Sequence, residues 1–421
     1  MLKEYRMRKR ILLLGYNFYP EPTGIGKYSG EMMFWLARNG YNCSVLTTYP
    51  YYPYWQVQQP YVPNRFRYTT EQLTAPDGGS LAVHRVPMYV PTTPTGLKRM
   101  LLDISFSVSA VIKLAYLFFK KQQFDYVIVI APSFQFGILG LVCKKLWKSK
   151  FIYHVQDLQI EADRDLKLIK SPKAIDLLFK VEKYIFGKAD IISSISEGMI
   201  ERIAHKAQKE VLLFPNWADI NLIQPLTDRN SLKPLFGFAP NDRIVLYSGA
   251  IGEKQGLEAI LYAAQNFAHQ SEIKFLICGS GPYEKNFREL AAAMGLQNVF
   301  FLPLQPLNKL KALLNSADIH LVVQKANTSD LVMPSKLTNI LSAGGVALIT
   351  ADSDSGLYKL IKKHEMGLVV PAENQEAFTA GLQEALAMNP ANIMKNARAY
   401  AEHYLAVDGV MQAFEKAVFS D

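Results

Sequence analysis

The chain has 421 residues, of which 49% are hydrophobic and 20% charged, with a formal net charge of +9 at pH 7. This length is too great for a single hydrophobic core, and we expect two globular domains. Cys43, Cys143 and Cys278 lie far apart in apolar surroundings. Their spacing excludes a disulfide framework and a cysteine metal site, and it predicts a reducing, cytoplasmic environment.

The charge is unevenly distributed along the chain. Residues 1–210 contain 29 Lys and Arg against 17 Asp and Glu, a balance of +12, whereas residues 211–421 contain 17 against 20, a balance of −3. Such asymmetry predicts that the first half faces an anionic partner, either a nucleic acid or a membrane surface.

The first elements predict a strand, a glycine-containing loop and a helix. The N-terminus is basic, but the apolar run at residues 11–14 is too short for a signal-peptide core, so we predict a strand at 10–15. Thr23-Gly24-Ile25-Gly26-Lys27 precedes a predicted helix at 28–39. The motif lacks the third glycine of a dinucleotide fingerprint and the spacing of a P-loop. Its glycines predict either close approach of a phosphate or sugar, or a plain tight turn.

A long apolar helix is predicted at residues 98–121, with Lys98-Arg99 and Lys120-Lys121 at its ends. Its length approaches that of a membrane span. Asp103 and Lys113 lie inside it, however, and both are costly in a lone spanning helix. We therefore predict a buried or half-exposed helix whose apolar face dips into a bilayer interface. This favours a membrane over a nucleic acid as the anionic partner.

Further apolar runs at 43–48, 126–131 and 151–155 alternate with helical patterns, which predicts a parallel sheet covered on both faces. His154 closes the last run and Asp157 follows it, so both are expected at the carboxyl edge of the sheet. A sugar-binding or acid–base role suits that position, although most histidines are structural.

The same scheme restarts after Asn216. Strands are predicted at 242–249, 274–278, 299–302, 319–323 and 346–350, with a helix at 257–267 after the first. The fold class is thus α/β, with two tandem doubly wound, Rossmann-like domains, 1–214 and 215–399, and ligands at the carboxyl ends of the strands. Prolines at 213–240 predict a hinge, and residues 392–419 predict a helical tail, whose last part, about 400–421, is expected to pack back on the first domain.

Three segments of the second half predict phosphate or sugar contacts. The loop at 248–256 carries Gly249 and Lys254, and Gly279 and Gly281 end another strand, where they suit a ribose or only a strand-exit turn. Pro334-Ser335-Lys336-Leu337 begins a helix. Because unpaired amides and a positive dipole end meet there, this start suits a phosphate, with an ordinary capped helix as the alternative.

Taken together, the motifs at Gly24, His154, Gly249, Gly279 and Pro334 resemble retaining glycosyltransferases of family 4, which have the two-domain GT-B fold. At closer range the chain resembles the WcaI-type enzymes of colanic acid synthesis. That resemblance rests on these strings: Pro20-Glu21, Thr23-Gly24-Ile25-Gly26-Lys27-Tyr28, Tyr51-Tyr52-Pro53, Trp55-Gln56-Val57, Phe214-Pro215-Asn216-Trp217, Gly252-Glu253-Lys254-Gln255-Gly256, Leu321-Val322-Val323-Gln324-Lys325 and Pro334-Ser335-Lys336-Leu337-Thr338-Asn339.

The resemblance implies fucosyl transfer from GDP-fucose to a polyprenyl-diphosphate-linked sugar, by a peripheral enzyme on the cytoplasmic face of the plasma membrane. It implies that His154 and Asp157 are catalytic and that the first domain binds the acceptor through Lys27, Tyr51, Tyr52 and Trp55. The donor would contact Gly24, Gly26, Gly249, Lys254, Gly279, Gly281, Lys325, Pro334, Ser335, Lys336 and Leu337. No metal cofactor and no nucleic-acid partner are expected.

The chain also departs from the family pattern. Leu331 and Asn339 stand where most family members carry two glutamates, and Ala250 and Gln255 replace the usual Arg and Lys. The donor clamp is therefore built differently, which leaves the roles of Lys254, Lys325, Asp330 and Lys336 open. A UDP-sugar transferase, a nucleotide-sugar epimerase and a non-catalytic scaffold are the alternatives.

Overall fold

Two separate β-sheets organise the chain. The computed structural model describes residues 9–22, 24–74, 79–131, 133, 135–158, 160–161, 171–326 and 334–420. The chain divides into two units, Met1–Phe214 and Pro215–Asp421. Each unit is an α/β domain built on its own sheet, as the alternation of apolar and helical segments predicts.

The described strands of the first unit form an eight-stranded sheet in the order β3-β4-β2-β1-β5-β6-β7-β8. All neighbours are parallel except β3, which runs antiparallel to β4. The central strand β5 is buried at every residue, which explains its unbroken apolar sequence. The strands are Arg10–Leu14 (β1), Asn42–Thr47 (β2), Thr69–Thr74 (β3), Ser80–Arg85 (β4), Tyr126–Ala131 (β5), Lys150–Val155 (β6), Ile191–Ser194 (β7) and Leu212–Leu213 (β8).

The helices described in the first unit are Gly24–Arg38 (α1), Gly96–Phe119 (α2), Phe136–Trp147 (α3), Pro172–Lys188 (α4) and Glu197–Ala207 (α5). The glycines predicted to form a loop before α1 lie instead in its first turn. Glycine is disfavoured inside helices, which is why the sequence pattern predicts a later start. Gly24 has φ +60°, a left-handed value that lets the chain turn into the helix.

The described strands of the second unit form a six-stranded, fully parallel sheet in the order β11-β10-β9-β12-β13-β14. They are Arg243–Ala250 (β9), Ile273–Ser280 (β10), Val299–Leu302 (β11), Ile319–Val322 (β12), Ala347–Thr350 (β13) and Leu368–Val370 (β14). The helices are Glu258–Asn266 (α6), Glu284–Ala293 (α7), Leu307–Ser316 (α8), Ser335–Ser342 (α9), Gly356–His364 (α10), Gln375–Ala387 (α11), Ala391–Tyr400 (α12) and Val407–Phe419 (α13).

Residues 213–240, predicted to be a hinge, are largely fixed to the second unit. The Arg229 guanidinium donates to the carbonyls of Ala343, at 2.7 Å, and Gly344, at 3.1 Å. Asn315 accepts from the amide of Leu226 and donates to the carbonyl of Gln224. The prolines interrupt regular structure, and these hydrogen bonds hold residues 224–229 to the rest of the second unit. The hinge itself stays a prediction.

The predicted helical tail is broken into α12, a π-helical turn at Ala401–Leu405 and α13. The Ala218 amide donates to the Leu405 carbonyl at 2.8 Å, so the first residues of the second unit pair with the end of the π-helical turn. The packing of residues 400–421 against the first domain stays a prediction, as do the roles of the two domains.

Candidate functional site

Lys336 is the best-placed cation at the carboxyl edge of the second sheet. It lies in the first turn of α9, and its Nζ stands 3.8 Å from the centroid of the Tyr247 ring. The residue as a whole is partly exposed, but burial around the ammonium group lowers the pKa of Lys336 to about 7. A cation held over an aromatic face near a helix start suits a diphosphate, which would restore its full charge.

Gly249 makes room for this lysine. A Cβ at Gly249 would lie 3.1 Å from both Cε and Nζ of Lys336, and the residue has φ +157°. The Tyr247 hydroxyl donates to the Ala250 carbonyl at 2.6 Å, which holds the start of the loop after β9. The predicted contacts Gly249 and Lys336 are therefore neighbours, and Tyr247, to which the sequence analysis gave no role, lies against both of them.

Lys325 also lies at this edge, after β12. Its Cγ would be 3.2 Å from a Cβ on Gly256, the glycine that ends the β9–α6 loop with φ +66°. The two lysines thus flank one glycine loop from different segments. The structure describes Lys254 and Ser335 only through their backbone, so their predicted side-chain contacts lie outside the described residues, as do Asp330 and Leu331.

Two of the predicted glycine contacts have a structural explanation. A Cβ on Gly279 would lie 1.9 Å from the Gly249 carbonyl oxygen, and one on Gly281 would lie 2.2 Å from that of Ile251. Both glycines are needed for the close approach of the β9 and β10 backbones. The two glycines thus have a packing role at the strand exit, and their contact with a ribose stays a prediction.

The predicted phosphate contact through the Leu337 amide needs correction. This amide donates to the Pro334 carbonyl at 2.9 Å, and the Leu337 side chain is fully buried in the core. The first turn of α9 therefore already uses that donor. Lys336 remains the group of this segment that faces the glycine loop.

Two amide atoms at this edge are buried and have no hydrogen-bond partner among the described residues: Gln255 Oε1 and Gln324 Nε2. Such groups cost free energy unless they are satisfied, so they mark a place where polar ligand atoms are expected. Gln255 occupies the position where most family members carry lysine. Its buried acceptor is a feature of this edge that the sequence pattern alone does not reveal.

His154 lies near the end of β6 and is 2% exposed. Its Nδ1 hydrogen bonds with Ser193 Oγ at 2.9 Å, and its ring packs edge-on against Phe214 at 5.1 Å. Burial lowers the pKa of His154 to about 3, so the imidazole is neutral at physiological pH. It can orient or polarise a hydroxyl but does not supply a positive charge. Asp157 follows the same strand and is partly buried.

The carboxyl edge of the first sheet is organised by Glu21, to which the sequence reasoning gave no role. Its carboxylate accepts from the amides of Tyr51, at 3.1 Å, and Tyr52, at 3.0 Å, and from Asn17 Nδ2 at 2.8 Å. Burial raises the pKa of Glu21 to about 7, against the opposing effect of these donors. A Cβ on Gly26 would lie 2.5 Å from Glu21 Oε2, so this glycine admits the carboxylate.

Glu21 therefore joins the predicted acceptor residues to the first glycine turn. Tyr51 is 3% exposed and packs edge-on against Trp55 at 5.7 Å. A Cβ on Gly24 would lie 3.8 Å from Tyr52 Cε1. Lys27 pairs with Glu31 at 3.2 Å on α1. The structure thus brings Gly24, Gly26, Tyr51, Tyr52 and Trp55 together.

Arg85 supports the same edge from β4. It is 1% exposed, and its guanidinium donates to the carbonyls of Tyr19, at 2.9 Å, and Thr48, at 3.0 Å. It also pairs with Glu71 at 2.6 Å. The loops after β1 and β2 are therefore fixed to each other by a buried charge. Within the described ranges, no group of three or more His, Cys, Asp or Glu could hold a metal ion.

Comparison with known proteins matches both halves of the chain to family models. Residues 23–217 match the glycosyl transferase 4-like domain, and residues 228–403 match glycosyl transferases group 1. The colanic acid biosynthesis glycosyl transferase WcaI of Escherichia coli is 38% identical over 414 residues, which cover 96% of this chain and 98% of that protein.

Solved structures share the fold across nearly the whole chain. Sucrose-phosphate synthase of Thermosynechococcus elongatus superposes with a TM-score of 0.74 at 18% identity, covering 97% of this chain and 98% of that one. HepE of Anabaena, in complex with UDP and glucose, superposes with a TM-score of 0.69 at 14% identity, covering 98% of this chain and 100% of that one. These likenesses show the fold alone. The family models and the relative at 38% identity show more: the chain belongs to the GT-B glycosyltransferases that join a glycosyl transferase 4-like domain to a group 1 domain.

Proposed function

We propose that this glycosyltransferase moves a sugar, best identified as fucose from GDP-fucose, onto a polyprenyl-diphosphate-linked saccharide in the synthesis of a colanic-acid-like exopolysaccharide. The support for the pathway is the match to WcaI over almost the full length of both chains. The proposal places the enzyme in the cytoplasm, peripherally on the inner face of the plasma membrane, without a metal cofactor and without a nucleic-acid partner.

The observation that carries the donor half of the proposal is the position of Lys336 over Tyr247 beside Gly249. A nucleotide sugar carries a diphosphate whose negative charge grows as the glycosidic bond breaks. A buried ammonium group at a helix start stabilises that growing charge more strongly than a solvated one. Lys325, on the other side of the loop, adds a second cation.

The acceptor half rests on the first sheet. Tyr51, Tyr52 and Trp55 form an aromatic cluster fixed by Glu21, and aromatic faces suit the apolar faces of sugar rings. The +12 charge balance of residues 1–210 suits a diphosphate and an anionic membrane surface.

In the proposed reaction the diphosphate departs with its electron pair towards Lys336, which leaves an oxocarbenium-like sugar. The acceptor hydroxyl adds to the same face and loses its proton to the departing phosphate, so the anomeric configuration is retained. His154, as a neutral imidazole, holds a hydroxyl of the donor sugar, and Asp157 orients the sugar or the acceptor. The retention is a property of the family that the chain resembles.

Calorimetric titration with GDP, UDP and their fucose, glucose and N-acetylglucosamine conjugates tests the donor. Tighter binding of GDP and GDP-fucose supports the proposal, and the anomeric configuration of the product on a short polyprenyl-diphosphate sugar tests retention by NMR. The matched variant is Lys336→Met, which keeps an unbranched, flexible stem but removes the ammonium group, and it is expected to bind the donor weakly.

Each alternative gives a different result in the same experiments. A preference for UDP-sugars would keep the reaction type and overturn the donor. Conversion of the nucleotide sugar without any acceptor would indicate an epimerase. Failure to bind any nucleotide sugar would indicate a non-catalytic scaffold.

A further inference from the structure

Helix α2 has the reverse of the polarity that a surface helix of a water-soluble domain shows. Between residues 100 and 119 both charged side chains, Asp103 and Lys113, are buried, while every exposed residue is apolar or aromatic. Surface helices normally bury the apolar stripe and expose the charges. The exposed side of α2 is therefore its apolar side, which is unfavourable to expose to water.

The charges of α2 are held inside the first unit by specific partners. Asp103 Oδ1 accepts from Ser133 Oγ at 3.0 Å, and Lys113 Nζ donates to Thr70 Oγ1 at 3.3 Å. Phe106 packs between Tyr16, at 5.8 Å, and Phe136, at 5.0 Å. The inner face of α2 is thus an integral part of the domain. The segment that looked long enough to span a bilayer is fixed along its length to a folded sheet.

The outer face forms one continuous apolar stripe. Its members recur at three- and four-residue intervals, and they include Leu101, Ile104, Val108, Val111, Ile112 and Phe119. Val108 is 56% exposed and Phe119 is 81% exposed. The most apolar 18 residues of this helix have a mean hydropathy of 1.7, and only 33% of them are buried, which leaves a large apolar surface without a partner in the described parts of the chain.

The neighbouring helix α3 continues this surface. It packs on α2 through Phe136 and Trp147, and it exposes Ile138, Val142 and Leu146 at four-residue spacing. Asp103, which is buried, is the single acidic residue of the two helices. Basic residues stand at both ends of α2, where Lys98-Arg99 and Lys120-Lys121 flank the apolar stripe. An apolar stripe bounded by cations is complementary to anionic headgroups above an acyl layer.

We infer that the outer faces of α2 and α3 lie flat in the interface of an anionic lipid bilayer, with the stripe in the acyl region and the basic pairs at the headgroups. The inference deepens the proposed function, because it names the surface by which the enzyme reaches a lipid-linked acceptor. The binding test below contains neither donor nor acceptor, so its outcome is independent of the sugar that is transferred.

The first test is flotation of the full chain with vesicles of phosphatidylcholine alone or with about one third phosphatidylglycerol. We expect binding to the anionic vesicles, weakened by salt. The triple variant Ile104→Gln, Val108→Gln and Ile112→Gln is expected to lower the partition coefficient at least about tenfold. The control carries three comparable exposed substitutions in the second unit, Leu235→Gln, Tyr262→Gln and Leu304→Gln, and is expected to bind like the unmodified chain.

The second test measures depth. The native cysteines are buried, so a polarity-sensitive fluorophore can be attached selectively to Ile104→Cys, Val108→Cys or Phe119→Cys, one variant at a time. A helix lying in the interface predicts blue-shifted emission and a similar quenching depth at all three sites. Depths that increase steadily along the helix would indicate a span and overturn the inference.

Two further results would also overturn it. One is equal binding of the triple variant and the unmodified chain to anionic vesicles, where circular dichroism shows that both proteins are folded. The other is a dimer in sedimentation velocity that the triple variant converts to a monomer without any change in vesicle binding, because the stripe would then be covered by a second copy of the chain.

Discussion

Binding of a nucleotide sugar should take up a proton, and this proton should go to Lys336. In the unliganded protein the pKa of Lys336 is about 7, because burial disfavours its charged form. A diphosphate favours the charged form and raises this pKa. If only the protonated enzyme binds the donor, the apparent dissociation constant is multiplied by one plus the ratio of neutral to protonated lysine.

This ratio grows tenfold with each pH unit above the pKa. With a pKa of about 7, the apparent dissociation constant at pH 8.5 should be about 30-fold larger than at pH 6. At pH 8 the side chain of Lys336 is neutral in about nine of ten molecules, so binding of one donor should take up about 0.9 proton. The affinity for the donor should therefore fall as pH rises, because the protonated form of Lys336, which binds the donor, is lost.

The assay is calorimetric titration of GDP-fucose in two buffers with different ionisation enthalpies, which gives the number of protons taken up. The sugar nucleotide is preferable to GDP because its diphosphate has no group that titrates near neutral pH. Lys336→Met should bind weakly and take up no proton. Glu21→Gln, which removes a carboxyl group whose pKa burial raises to about 7, should leave the uptake unchanged. Proton uptake close to zero at pH 8 in the unmodified chain would refute this account.

Three further predictions concern both units. His154→Ala should lower turnover at least about a hundredfold while donor affinity changes less than about threefold, as measured by product formation and calorimetry; unchanged turnover would remove His154 from the mechanism. Protonated Glu21 should contribute about 3 kcal/mol of stability that is complete below its unfolded pKa of 4.5 and lost as pH rises through about 7. Urea unfolding at pH 5 and pH 8 should show that Glu21→Gln removes this loss, and an unchanged pH dependence would contradict it. Gly279→Ala should lower the melting temperature because its Cβ meets the Gly249 carbonyl, whereas Gly187→Ala, in open space on α4, should not; equal melting temperatures would argue against the β9–β10 constraint.

The sequence predicted the central strands well because their apolar runs are long and buried. The bounds predicted at 126–131 agree with the central strand β5, and those at 299–302 agree with β11, a partly exposed strand at the edge of the second sheet. Strands β3, β4, β7 and β14 were missed. In β3 the residues Thr69–Thr74 are largely polar, and their pairing with β4 is a tertiary effect. The two-residue strand β8 has too few residues to produce a pattern.

The candidate site was predicted in part for a similar reason. Lys336 stands at a recognisable helix start, so local sequence suffices to select it. Its contact with Tyr247 joins residues far apart in the chain, and no local pattern reports that distance. Glu21 was quoted within a motif but given no role, because a glutamate in a loop is ordinarily exposed and solvated, and only the fold shows it buried beneath two backbone amides.

The pairing of Ala218 with the end of the π-helical turn has a consequence for how such enzymes diversify. The Ala218 amide donates to the Leu405 carbonyl at 2.8 Å, so the two ends of residues 219–404 meet inside the second unit, and α13 follows as the last helix of that unit. A module whose two ends meet can be exchanged by recombination at that point without stretching or opening any other connection. Residues 219–405 are thus a segment with joined ends, and grafting the equivalent segment of a relative between Ala218 and Ala406, with α13 kept in place, tests whether this segment sets the donor preference.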